Sequence, residues 1–104
     1  VKDLESAVEN YLKKQVGKHH GLYWKFVSPS TRGVPDRLCI FPGKPTCYVE
    51  LKRPGEHPRP DQIFRIGQLQ KLGQPVWVVD SKEAADTFIK KYCQSDGWLG
   101  GGKL

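Results

Sequence analysis

Cysteine is scarce in this chain and follows no pattern. Cys39, Cys47 and Cys93 make an odd number with no C-x-x-C pair. That excludes a disulfide framework and a zinc ribbon, and it fits a reducing compartment. Cys39 and Cys47 fall in neighbouring expected strands, where a cross-strand meeting is open to them, and all three read as small core or boundary residues. Histidine is equally scarce. His19 and His20 are adjacent and have no histidine four residues on, so a solvated turn suits them better than zinc. No apolar run approaches the ~20 residues of a membrane span. No secretory-signal pattern opens the chain, and no internal repeat is visible. Acidic residues are the minority charge, 11 against 17 Lys+Arg, for a formal charge of +6. This excess suits a polyanionic partner without requiring one. It is also compatible with a locally acidic catalytic site, ringed by basic surface that draws in a phosphate backbone.

What is present centres on two short stretches. Gly33-Val34-Pro35-Asp36 places a carboxylate just after a proline, where the chain is forced extended. Tyr48-Val49-Glu50-Leu51-Lys52 places a second carboxylate and a lysine two residues apart, on one face if the run is a strand. Asp36 opens the apolar run Arg37-Leu38-Cys39-Ile40-Phe41. Folding the two runs as an antiparallel pair returns Asp36 beside Glu50 and Lys52. Two acids and a lysine on one side of a sheet suit metal-assisted hydrolysis. The acids hold a hard divalent cation through oxygen, and the lysine orients water or stabilises charge building on a phosphate. The same letters also fit an exposed Asp in a turn beside a solvated Glu/Lys pair.

The 104 residues amount to one domain with one modest core. Residues 3 to about 17 are expected to form an amphipathic helix, with Leu4, Val8, Tyr11, Leu12 and Val16 at helical spacing, Asp3 as N-cap and Gly17 as stop. Glu5 and Glu9 lie one turn apart at the edge of that stripe. Both fit solvated helix acids, and either is a candidate third carboxylate. Leu22 to Val27 form an expected first strand, followed by the loop Ser28 to Gly33, with hydroxyls and Arg32 near Asp36. The second strand is expected over Asp36–Phe41 and the third over Thr46–Lys52, joined by Pro42-Gly43-Lys44-Pro45. Residues 53 to 60 form a basic, proline-rich loop that presents Arg53, His57 and Arg59 beside the lysine, as phosphate contacts or as a plain connector. A second helix covers about 60 to 72, with Pro60 in its first turn and Gly73 at its end. Its expected apolar stripe is Ile63, Ile66, Leu69 and Leu72, with the Gln62 amide sharing a face with Ile66 and Leu69. Val76–Val79 is the fourth strand. Asp80 or Ser81 caps a last helix, with Glu83 placed for a capping box and Ala85, Phe88, Ile89 and Tyr92 buried. The domain is expected to span residues 1–93, and 94–104, with three successive glycines, to form a flexible tail in which Trp98 and Leu99 dock on this chain or on a partner.

The resulting order is αβββαβα. With P-D followed by E-x-K, the chain resembles the PD-(D/E)xK nuclease superfamily and, within it, the VRR-Nuc branch of virus-type replication-repair nucleases, and this resemblance implies an α/β fold of restriction-endonuclease type, a mixed four-stranded sheet flanked by helices. The words that carry this are Lys25-Phe26-Val27-Ser28-Pro29, Arg32-Gly33-Val34-Pro35-Asp36-Arg37-Leu38, Tyr48-Val49-Glu50-Leu51-Lys52-Arg53-Pro54-Gly55, Pro60-Asp61-Gln62 and Leu72-Gly73-Gln74-Pro75-Val76-Trp77-Val78-Val79-Asp80-Ser81. The resemblance covers about residues 4 to 90. It implies a Mg²⁺- or Mn²⁺-dependent phosphodiesterase with Asp36 and Glu50 as metal ligands, the Leu51 carbonyl as another, and Lys52 as the catalytic lysine. Glu9 matches the first-helix glutamate best, with Glu5 as the fallback, and Gln62 matches a helix glutamine at the site. Stand-alone members are similar in being viral homodimers that cut four-way (Holliday) DNA junctions, whereas fused members process flaps. The implied partner is therefore branched DNA, and the implied location is the cytoplasm, a host cell's if the chain is viral. Lys25, Ser28, Arg32, Arg37, Arg53 and Arg59 are candidates for the DNA track. A flap- or duplex-directed nuclease and a non-catalytic nucleic-acid-binding module are the alternatives. Asp61 departs from the family, which more often has an apolar residue there.

Overall fold

The structure is a computed structural model and describes residues 4–93. Asp3, and the tail with Trp98 and Leu99, lie outside the described residues. Helix α1 (Leu4–Lys18) leads into strands β1 (Leu22–Lys25), β2 (Arg37–Ile40) and β3 (Cys47–Leu51). Helix α2 (Pro60–Lys71), strand β4 (Val76–Val79) and helix α3 (Lys82–Phe88) follow, and α3 runs on as a π-helical turn, Ile89–Cys93. The sheet order is β1-β2-β3-β4. The two β2 pairings are antiparallel, while β3 and β4 run parallel. The element order is the one the sequence pattern predicts, and the α/β class and mixed sheet are those the resemblance implies.

The period-2 alternation of β3 divides the molecule. Cys47, Val49 and Leu51 point into a core closed by Val8, Leu12 and Val16 of α1 and by Ala85, Phe88, Ile89 and Tyr92 at the C-terminal end. Each such large aliphatic or aromatic side chain contributes roughly 1.5–3 kcal/mol by leaving water. Phe88 is the aromatic hub, stacked on Tyr92 with centroids 5.8 Å apart and tilted against Trp77 at 5.5 Å. Cys39 and Cys47 face each other across the β2–β3 pair as free, buried thiols. Tyr48, Glu50 and Lys52 alternate onto the opposite face, where α2 lies.

Two local expectations change, and of the two caps offered for α3 one is chosen. Helix α1 runs through Gly17 to Lys18, and the left-handed residue that ends it is His20, at φ 65°. Gly21 is the glycine the turn needs, because a Cβ there would lie 2.8 Å from both Phe41 and Val16. The cap of α3 is Ser81, whose Oγ accepts from the Ala84 N–H at 2.9 Å, so the box built on Asp80 is not the one used. In α2, Ile63 and Leu72 are 57% and 75% exposed, and the buried line is instead Gln62 and Ile66, with Leu69 half-buried. The helix is turned by a polar contact: the Gln62 amide faces the sheet to reach Glu50, and this carries Ile63 outward.

Candidate active site

The C-terminal end of β3 carries a buried pair of opposite charges. Glu50 and Lys52 are each only 6% exposed, and their charged atoms, Oε2 and Nζ, are 3.8 Å apart. Gln62 joins them from α2, its Nε2 donating to Glu50 Oε2 at 2.9 Å. The oxygen of the same amide accepts the backbone N–H of Arg59 at 2.8 Å, so one side chain caps the helix and orients the carboxylate. Burial pushes the Glu50 carboxyl up to about 7; Lys52 draws it down and Asp36 pushes it further up. The influence of Asp36 on Glu50 follows from the strand register: Arg37 pairs with Val49, which sets Asp36 against Glu50.

Asp36 is half-exposed, and Arg37 Nη1 donates to its Oδ1 at 2.6 Å. The Arg37 side chain passes toward α1, where Nε donates to Glu9 Oε2 at 2.7 Å. Tyr23 OH donates to the same Glu9 oxygen at 2.8 Å. Burial pushes the Glu9 carboxyl up, but these two hydrogen bonds outweigh it and hold the group below its ordinary value. Burial, and then Glu9, push the Tyr23 phenol up. Glu9 is thus joined to Asp36 through one guanidinium. Glu5 and Glu9 line a cleft of about 380 Å³ with Ser6, Arg53 and Glu56.

The loop before Asp36 is fastened to α2. Gly33, at φ 84°, lies so close that a Cβ would stand 2.5 Å from the Asp61 carbonyl oxygen. Arg65 Nε donates to the Arg32 carbonyl at 3.0 Å. Lys25, Arg32, Arg53 and Arg59 are exposed, and Ser28 is half-buried. Arg37 is not part of an exposed DNA track: it is 8% exposed and committed to two carboxylates. Its place in β2 points it at the core face, where an unpaired charge would be costly. Sequence reasoning missed Tyr23, read only as a strand aromatic. Its alternation toward α1 was the available signal.

Asp36 and Glu50 supply hard oxygen donors, and Asp36 adds to the cost of ionising the buried Glu50. A dication between them removes that cost, so the pair fits Mg²⁺ or Mn²⁺. Among the described residues, no three His, Cys, Asp or Glu side chains converge on one point. The arrangement is a two-carboxylate site, with Glu9 tied to it through Arg37.

A mixed sheet with two acids and a buried lysine at one strand end defines a nuclease-like α/β domain. No protein-family model matches the chain. A solved structure described as "VRR_NUC domain" aligns with a TM-score of 0.81 and 30% identity, over 88% of this chain and 99% of that one. "Putative nuclease p44" of Acyrthosiphon pisum secondary endosymbiont phage 1 is 44% identical over 79 residues, 76% of this chain and 85% of the phage protein. The chain belongs to the VRR-Nuc family.

Proposed function

We propose that the protein is an endodeoxyribonuclease that hydrolyses phosphodiesters of branched DNA, four-way junctions foremost, with Mg²⁺ or Mn²⁺ and as a homodimer. The observation that carries the hydrolytic reading is the buried Glu50–Lys52 pair, held by Gln62 at the strand end where Asp36 returns. A pure binding module has no use for acids facing a phosphate.

Asp36, Glu50 and the Leu51 carbonyl would hold the metal. When bound, it supplies charge neutralisation at the phosphate and a lowered pKa for a water. Lys52, 3.8 Å from Glu50, orients the attacking water and balances charge on the phosphate. Gln62 fixes the rotamer of Glu50. Glu9 acts through Arg37, which holds Asp36 at the sheet end, and Glu5 shares the cleft beside it. Lys25, Ser28, Arg32, Arg53 and Arg59 steer the backbone, and the location that suits such chemistry is the cytoplasm. A four-way junction has near two-fold symmetry, and a C₂ dimer offers it two matched sites.

The test is a labelled immobile four-way junction beside a flap and a linear duplex, each with Mn²⁺, Mg²⁺ or EDTA, and with Glu50→Gln as control. Paired symmetric nicks confined to the junction, lost in EDTA and in the variant, are expected. Equal cutting of all three substrates overturns the junction reading. Tight binding without cutting overturns the enzyme and leaves a binding module.

A further inference from the structure

Outside the site, the most unusual cluster sits at the start of α2. Asp61 takes Arg59 with both carboxylate oxygens, Nε to Oδ1 at 3.2 Å and Nη2 to Oδ2 at 3.4 Å. Arg32, from the preceding loop, brings Nη2 to 3.8 Å from Oδ2. The Arg32 side chain is 86% exposed, and Arg59 is also largely in solvent. Two guanidinia for one carboxylate leave the cluster a net charge of +1. Its geometry is built in at both ends. The Arg32 backbone is pinned by Arg65 and by the close approach of Gly33 to Asp61. Arg59 is flanked by Pro58 and Pro60, which restrict its backbone. Asp61 is followed directly by Gln62, whose amide touches Glu50, so the cluster adjoins the strand end that carries Lys52.

Guanidinium forks match carboxylate and phosphate oxygens with the same bidentate geometry. We propose that Arg32 and Arg59 form a subsite for one DNA backbone phosphate beside the scissile one, and that Asp61 is a resident anion that holds the place and sets its affinity. This rests on the nuclease reading. With DNA absent, Asp61 keeps two long, exposed side chains gathered. With DNA present, the phosphate competes for the same forks, and the carboxylate becomes a repulsive neighbour that weakens the grip. An ordinary structural role is the alternative: an acid in the first turn of a helix is favourable by itself. That role predicts lower thermal stability on substitution and no change specific to DNA.

The two roles separate in equilibrium binding of a fluorescein-labelled junction, followed by anisotropy in EDTA so that nothing is cut. Asp61→Asn should tighten binding about three- to tenfold, the range expected for relief of one close repulsion. Glu83→Gln, the same charge change on exposed α3 surface, controls for net charge and should do much less. In an Arg32→Ala/Arg59→Ala background the Asp61→Asn gain should vanish. The double-Arg variant should also lower the slope of log affinity against log salt by about one, as loss of a single phosphate contact requires. Melting curves establish that each variant is folded, and Asp61→Ser replaces Asp61→Asn if that variant does not fold. A gain no larger than that of Glu83→Gln, or one that persists without the two arginines, overturns the subsite. Wild-type protein that binds no DNA in EDTA and cuts none with Mn²⁺ overturns the nuclease reading itself.

Discussion

Glu50 is where two demands meet. A carboxylate must be ionised to hold a cation, yet this one is buried, and burial moves it from 4.5 to about 7. The folded chain therefore holds a proton that the unfolded chain has lost, and between those two values stability falls as pH rises. After discount for partial solvation, the loss in metal-free protein is on the order of 1–2 kcal/mol from pH 5 to pH 8. Glu50→Gln should flatten that slope and be the more stable protein at pH 8. Urea melts in EDTA across this range measure it, and parallel curves for the two proteins would remove Glu50 as the cause. Because protons and metal compete for the same oxygens, Mn²⁺ affinity measured by calorimetry should rise with pH through about 7 and then level. Lys52→Ala should cost roughly 10²–10³ in cleavage rate while DNA binding in EDTA persists, the usual scale for loss of one charge-stabilising group. Undiminished cleavage would assign the lysine a structural role. Asp36 was legible from its proline, and Glu50 and Lys52 from their spacing. The Arg37 bridge was not, because a letter in a strand does not say which carboxylates two other elements bring to it.

At the scale of elements, the decisive joint is α2 against the loop before Asp36. Gly33 is needed there twice, for its positive φ and for its distance from the Asp61 backbone. Gly33→Ala should cost roughly 1–3 kcal/mol by backbone strain, with steric displacement in addition. Since the same joint sets Gln62 on Glu50, cleavage should fall by more than the melting temperature explains. A variant that melts early but cuts normally at low temperature would show that the joint serves stability alone. The strands and helices were readable from periodicity, because a buried face imposes its repeat on the sequence. The buried line of α2 was not fully readable. Four apolar residues suggested a stripe from Ile63 to Leu72, but a polar side chain won the inward position. Hydrogen bonding to a buried carboxylate outweighs burial of one more aliphatic group when the alternative is an unsatisfied charge.

At the scale of the molecule, one sheet face is well covered, and the face that carries α2 is left open at its β1 edge. Leu22 and Trp24, on the β1 face opposite Tyr23, are both about half exposed. With a formal charge of +6, copies of this chain repel through most of their surface. The apolar patch of Leu22 and Trp24 is where they can meet. The proposed homodimer should appear by light scattering at micromolar concentration, and Trp24→Glu should shift it to monomer without lowering the melting temperature. A dimer untouched by this change would place the interface elsewhere, and a strict monomer with and without DNA would remove the dimer.

By itself the sequence determined the order of elements and the acid-acid-lysine set, since alternation, proline and turn chemistry act over a few residues. Only the tertiary structure decided which charges meet. It set Arg37 between Glu9 and Asp36, turned Gln62 onto Glu50, and gathered Arg32 and Arg59 on Asp61. These partners come from different elements, separated in the chain and joined by packing, and no local pattern encodes a distance between them.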